Sequence, residues 1–222
     1  MDPDILFQRL NKYLGISGNA LLWFKSYFIG RSQTVYFNDE KSDVKALKYG
    51  VPQGFVLGPI LFNIYMLRLG IILRRLGLSY HCYADDNQIY TTITNDTLND
   101  KVHLIQEGYS AINNFLSTSF LKLNHDKSEL LLIGKLHIVS QIKMSLQFLT
   151  LGNVQIRCAN GVKNLGVIFD ESLSFNQHIR DISKSSLHKL RNLRLIRKHF
   201  SQKNFEILVH SFITSRLDYC NS

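Results

Sequence analysis

The chain has 222 residues, 45% of them hydrophobic and 19% charged, proportions that support a packed core and exclude a disordered tail, a collagen-like repeat and a disulfide-stapled scaffold. Its 26 Lys and Arg outweigh 17 Asp and Glu for a net charge of +9, which admits an acidic partner such as nucleic acid or an anionic surface, or simply a basic protein. Three widely spaced cysteines, Cys82, Cys158 and Cys220, exclude a CxxC zinc site and imply reduced thiols in an intracellular protein.

The first residues carry neither the basic nor the apolar region of a signal peptide, so no leader is expected. Leu6, Leu10, Tyr13 and Leu14 recur at helical spacing, and Ala20, Leu21, Phe24, Tyr27 and Phe28 suggest a second short helix. Gln33–Asn38 and Val44–Tyr49 read as a hairpin around Asp39-Glu40-Lys41. Its second strand runs into Val51-Pro52-Gln53-Gly54, where proline keeps Val51 extended and glycine permits a tight loop. A helix over Val56–Leu67 should follow with Pro59 in its first turn. That run, broken by Gly58, Pro59 and Asn63, is well short of the roughly 20 residues that span a bilayer, so no membrane contact is expected.

Ser79–Ala84 and Gln88–Ile93 flank Asp85-Asp86-Asn87 as a second hairpin. From Leu98, the positions Val102, Ile105, Tyr109, Ile112 and Leu116 predict a helix of about five turns. Asn124-His125-Asp126-Lys127 then turns the chain into a strand over Glu129–Ile133, Leu146–Leu151 and Val154–Cys158 form a hairpin around Gly152-Asn153, and Lys163–Phe169 reads as one more strand. Beyond a boundary near 170 to 174 the pattern is wholly helical. On a helical wheel Arg180, Lys184, Arg191, Arg194 and Lys198 gather on one side, with Phe175, Ile179, Ile182, Leu190, Leu193 and Phe200 opposite. Such a face either contacts phosphates or is merely solvated. The last apolar series, Phe205, Leu208, Val209, Phe212 and Ile213, is a core stripe.

The sharpest chemical feature is Tyr83-Ala84-Asp85-Asp86. Adjacent carboxylates in a tight turn can share divalent cations, although Asp-Asp alone is also ordinary turn chemistry. Its company narrows the choice. Val51-Pro52-Gln53-Gly54, Leu57-Gly58-Pro59 and Leu61-Phe62 precede it, and Asn124-His125-Asp126-Lys127-Ser128-Glu129, Asn164-Leu165-Gly166-Val167-Ile168-Phe169-Asp170 and Arg216-Leu217-Asp218-Tyr219-Cys220-Asn221 follow. In order and spacing these motifs resemble the reverse transcriptases of non-LTR, LINE-type retrotransposons over almost the whole chain.

The resemblance implies an α+β fold: a partial right-hand polymerase in which an antiparallel palm sheet packed with helices, residues 1–170, is followed by a helical thumb, residues 171–222. It implies RNA-directed DNA polymerisation by two-metal nucleotidyl transfer, with Asp85 and Asp86 as catalytic ligands of Mg²⁺ or Mn²⁺. The partners it implies are an RNA template, a DNA primer duplex and deoxynucleoside triphosphates. Pro52, Gln53 and Gly54, with the following helix, would hold the template strand and the nascent pair, Tyr83 in the metal-binding hairpin would contact substrate or template, and Lys127 would lie near the pyrophosphate leaving group. Leu165 to Phe169 resembles the primer-grip strand. Arg180, Lys184, Arg191, Arg194 and Lys198 would follow the duplex backbone.

Three departures qualify the resemblance. The family's other metal-binding aspartate lies on a strand upstream of the segment here represented by Met1-Asp2-Pro3-Asp4-Ile5-Leu6, and Pro3 bars that segment from a central strand. The fingers are also lacking, so the alternative is an inactive remnant retaining at most nucleic-acid binding. Phe55 stands where the resemblance expects serine, a bulky apolar ring near the template path.

Overall fold

Asp2-Pro3 begins a helix rather than a strand. In the computed structural model, which describes residues 1–51 and 54–220, the Asp2 carboxylate accepts hydrogen bonds from the backbone N–H of Asp4 (3.0 Å) and Ile5 (3.1 Å). Pro3 occupies the first turn of α1 (Pro3–Leu14), where its missing N–H costs nothing. Gly15, at φ +66°, ends the helix, with Ile16 N–H returning to the Leu10 carbonyl. The helix α2 (Gly18–Phe28) follows.

The first hairpin is nested. Strand β1 (Ser32–Gln33) pairs with β4 (Lys45–Ala46), and β2 (Tyr36–Phe37) pairs with β3 (Glu40–Lys41). Its tip is Asn38-Asp39, both at positive φ, rather than Asp39 to Lys41, because short polar side chains are the ones that tolerate this conformation.

Helix α3 (Gly58–Arg75) is longer than the expected run to Leu67. The apolar stripe continues through Leu69 and Leu73, and Gly77 at φ +71° provides the stop. This helix is the spine of the first of two compact units, which comprises residues 1–126 and 151–154. Leu61 and Tyr65 pack with Leu6, Phe7, Leu10 and Phe28 from α1 and α2. Met66, Leu69 and Leu73 pack with Leu78 and with Ile112, Phe115 and Leu116 of α4 (Leu98–Thr118). Between α3 and α4 runs the hairpin of β5 (Ser79–Tyr83) and β6 (Asp86–Tyr90).

A charged residue is sealed into this unit. Arg9 is only 7% exposed, and its guanidinium lies over the rings of Tyr65 (4.4 Å) and Phe115 (5.1 Å). It donates to Ser119 Oγ at 2.7 Å, while its Nη1 makes no hydrogen bond. Desolvation lowers the Arg9 pKa and raises that of Tyr65. The Tyr65 hydroxyl donates to the Ser119 carbonyl (2.6 Å) and accepts from Asp2 N–H (3.2 Å).

The second unit comprises residues 127–150 and 155–222. Its sheet has the order β7-β9-β8, with β7 (Leu130–Leu131) parallel to β9 (Val154–Ala159) and β8 (Phe148–Leu151) on the other side. The sequence pattern names no element between 134 and 145. The structure places α5 (Leu136–Ser145) there, burying Val139 and Ile142; β-branched residues on its apolar face blur the helical signal.

The strand expected over Lys163–Phe169 is instead a hairpin of β10 (Gly161–Asn164) and β11 (Val167–Asp170). Leu165 and Gly166, both at positive φ, form its two-residue turn. Helix α6 (Asn176–Ile196) then packs beside α7 (Gln202–Val209), a π-helical turn over His210–Thr214, and α8 (Ser215–Leu217). The change of pattern near 170 to 174 falls inside this unit. Helices, antiparallel pairs and one parallel pair make the chain α+β.

Asp170 launches α6. Its carboxylate accepts from the backbone N–H of Ser172, Ser174 and Phe175 and from both serine hydroxyls, at 2.7 to 3.0 Å. These donors hold its pKa down to about 2 from an ordinary 3.8, the backbone N–H of Ser174 contributing most. A depressed carboxyl stabilises the fold above its unfolded pKa and loses that contribution as pH falls toward the folded one. Between about pH 4 and pH 2, the wild-type second unit should therefore lose resistance to urea that an Asp170→Asn variant lacks from the outset. Denaturation midpoints across that range measure the difference, and parallel pH profiles for the two proteins would exclude the role.

Candidate active site

The β5–β6 hairpin closes with a two-residue turn. Register pairs Tyr83 with Asp86, so the turn residues are Ala84 and Asp85, and Asp86 and Asn87 belong to the strand rather than to the tip. Only Ala84 of the two has positive φ, at +53°. Glycine usually fills that position of a type II′ turn, and a Cβ there costs roughly 1–2 kcal/mol. Asn87 Nδ2 donates to the Asp85 carbonyl at 2.9 Å and steadies the turn. The consequence is two consecutive, exposed carboxylates in a short, stiff loop.

Alternation along the strands sets the faces. Tyr80 and its neighbour Ile89 are on one face, and Tyr80 packs on the α3–α4 core. Gly70 makes that possible, since a methyl group on it would overlap the Tyr80 hydroxyl. Tyr83, Asp86 and His81 share the other face, where His81 Nε2 and the Tyr90 hydroxyl are 3.3 Å apart. Cys82 lies on the Tyr80 face, and desolvation raises its thiol pKa. Among the described residues no third strand pairs with this hairpin, and no group of three or more His, Cys, Asp or Glu is placed to hold a metal ion. Asp2 is engaged as the α1 cap. The two carboxylates are oxygen donors of the kind that suit a hard divalent cation, which keeps water or substrate oxygens in its remaining positions.

The other residues singled out by sequence are distributed over both units. Gly54, at φ +79°, is exposed in the first; Pro52 and Gln53 lie outside the described residues. Tyr83 is beside the carboxylates. Lys127 is exposed at the end of a 3₁₀ turn (His125–Lys127) and belongs to the second unit. The preceding His125 is fixed through Nδ1 to the Tyr109 hydroxyl at 2.7 Å.

Arg180, Lys184, Arg191 and Arg194 stand exposed on α6, opposite the buried Ser186 and Leu193. Lys198 falls in the 3₁₀ turn after the helix rather than on it. Of the apolar set expected to pack, only Leu193 is buried; Ile179 and Leu190 remain largely open, and Lys189 turns inward over the Phe212 ring at 5.6 Å. Sequence reading passed over Trp23, whose i, i+4 spacing from Tyr27 was the available signal. Phe55 is stacked on Tyr27, at 4.5 Å between ring centres.

No helix among the described residues is long and apolar enough to cross a membrane. Residues 3–169 match the family of reverse transcriptases (RNA-dependent DNA polymerases). The chain is 28% identical over 166 residues to an RNA-directed DNA polymerase from mobile element jockey of Drosophila funebris, an alignment covering 72% of this chain and 17% of that protein. It is 24% identical over 180 residues to a probable RNA-directed DNA polymerase from transposon BS of Drosophila melanogaster, covering 77% and 19%. The chain thus spans less than a fifth of the length of these curated relatives. No solved structure matches. With three quarters of its length inside the family match and its acidic hairpin within that span, the chain belongs to the reverse transcriptases, as a domain of the non-LTR, LINE-type kind.

Proposed function

We propose that these residues form part of a right-hand polymerase that copies RNA into DNA, with residues 1–170 as palm and 171–222 as thumb. The observation that carries the reading is Tyr83 to Asp86 on a two-residue turn inside the family match, its carboxylates exposed. Asp85 and Asp86 would hold Mg²⁺ or Mn²⁺. When bound, such cations lower the pKa of an attacking hydroxyl and neutralise a departing pyrophosphate. The chain's own share is positional. The stiff turn fixes two negative charges side by side, Tyr83 presents a ring to substrate or template, and Gly54, having no side chain, lets the template backbone approach closely. Lys127 offers an ammonium to the leaving group. Primer extension on an RNA template with deoxynucleoside triphosphates, by a polypeptide carrying these residues, tests the reading. Incorporation that disappears in Asp85→Ala supports it. Nucleic-acid binding without incorporation in any such polypeptide assigns the chain to the inactive remnants instead.

The basic face of α6 supplies sequence-independent grip. Cations along one side of a helix follow phosphates but offer no fixed pattern to base edges. If Arg180, Lys184, Arg191, Arg194 and Lys198 all neutralise phosphates, log K should fall with log salt at a slope of about −4 to −5, and each change to Ala should reduce its magnitude by roughly one. Fluorescence anisotropy on an RNA–DNA hybrid across a salt series reads this directly. An unchanged slope in the Arg191→Ala, Arg194→Ala double variant removes α6 from the binding surface.

A further inference from the structure

Most ring contacts of α1 and α2 are edge to face, that of Trp23 with Phe24 included (5.1 Å, 79°), and one series is parallel. Inside, Phe28 meets Phe7 and Tyr27 edge to face, at interplanar angles of 78° and 80°. Leading outward, Phe55, Tyr27 and Trp23 form a parallel series, with Phe55 and Tyr27 tilted by 17° at 4.5 Å and Tyr27 and Trp23 by 19° at 6.1 Å. The outer member, Trp23, is 52% exposed, with Leu22 beside it also open. Aromatic residues bury 150–250 Å² each when packed, so a half-exposed tryptophan ending a stack forgoes much of that stabilisation. Trp23 and Leu22 thus leave apolar surface at the end of the stack for a partner to cover.

The stack is also tied to the loop before α3. Phe55 directly follows Gly54, and the Arg31 guanidinium, lying over the Phe28 ring at 5.1 Å, donates to the Gly50 carbonyl at 2.7 Å. Ring faces in parallel series are the geometry on which unpaired bases continue a stack, since every base offers a π face. A protein partner or a lipid surface needs apolar area but not parallel rings.

We propose that Trp23, Tyr27 and Phe55 form a stacking platform for the unpaired bases of a single-stranded nucleic acid. The platform deepens the polymerase reading and rests on it, because only a chain that handles nucleic acid presents such a strand to α2.

Trp23 is the only tryptophan of the chain, so its emission reports on the platform alone. Titrating the full chain with a single strand of oligo(U) or oligo(dT), about ten nucleotides long, should quench that emission with the same midpoint as anisotropy of the labelled strand, while a duplex of equal length quenches far less. Trp23→Ala should weaken single-strand binding by about 5- to 150-fold, as expected for one lost base stack. Trp23→Phe should retain most of the affinity, and Phe55→Ser should reduce both affinity and quenching. Binding by anisotropy without any change in Trp23 emission overturns the platform and leaves the basic face of α6 intact. No binding to single strand or duplex overturns the platform and the nucleic-acid reading together. A blue shift on anionic vesicles with no response to oligonucleotides assigns the patch to a membrane surface and also overturns it.

Discussion

Asp86→Asn, introduced into a polypeptide that extends primers, is expected to slow nucleotide incorporation by at least about 100-fold without lowering the unfolding midpoint. The amide keeps the shape of the side chain and loses the charge that would hold the cation, and removing one electrostatic stabiliser of a transition state commonly costs about two to three orders of magnitude. The main-chain pairing of Asp86 with Tyr83 is untouched, so the hairpin has no reason to open. The same substitution should weaken Mn²⁺ binding at least about tenfold. Paramagnetic broadening of the amide signals of Tyr83 to Asn87 reads that binding in the isolated chain. Broadening that persists in an Asp85→Asn, Asp86→Asn double variant would remove the hairpin from metal binding.

How much of this was legible in the sequence depended on whether a local signal existed. Gly152 is a turn residue with one structural meaning, and the hairpin it closes was readable, whereas the cap at Asp2-Pro3 and the stop at Gly77 carried no motif and α3 runs on well past Leu67. Pattern alone misread the segment from Lys163 to Phe169, because a run of β-prone residues looks continuous while Leu165 and Gly166 adopt positive φ and reverse it. It also shifted the acidic turn by one residue: Ala84, not the Asp-Asp pair, takes the left-handed corner, and alanine is a poor advertisement for that conformation. The family resemblance located Asp85 and Asp86. It offered nothing about Arg9 or about the stacking of Trp23, which depend on how helices meet rather than on any motif.

The largest stability effect belongs to Arg9. Arg9→Ala should destabilise the first unit by about 3–5 kcal/mol, because it empties the space between Tyr65 and Phe115 and strips Ser119 Oγ of its donor. Arg9→Met should cost far less, and can even stabilise. Methionine refills the gap between the rings while removing a charge whose Nη1 has no hydrogen bond. Urea denaturation of the two variants decides the point. Equal losses would show that the cation itself, held over two rings, sustains the packing.

The C-terminal helices return to the β10–β11 hairpin through Tyr219, whose hydroxyl donates to the Leu165 carbonyl at 2.7 Å across 54 positions of chain. Its ring also rests against Gly166. During synthesis this turn therefore leaves the ribosome well before its clasp exists. At about 5–20 residues per second the delay is about 3 to 11 seconds, far longer than the microseconds in which a hairpin forms. For that interval the strands around Leu165 depend on their own turn chemistry, while the first unit already has residues 1–126, with α1 to α4 among them. Translation order thus separates the birth of the acidic hairpin from the closing of the helical end.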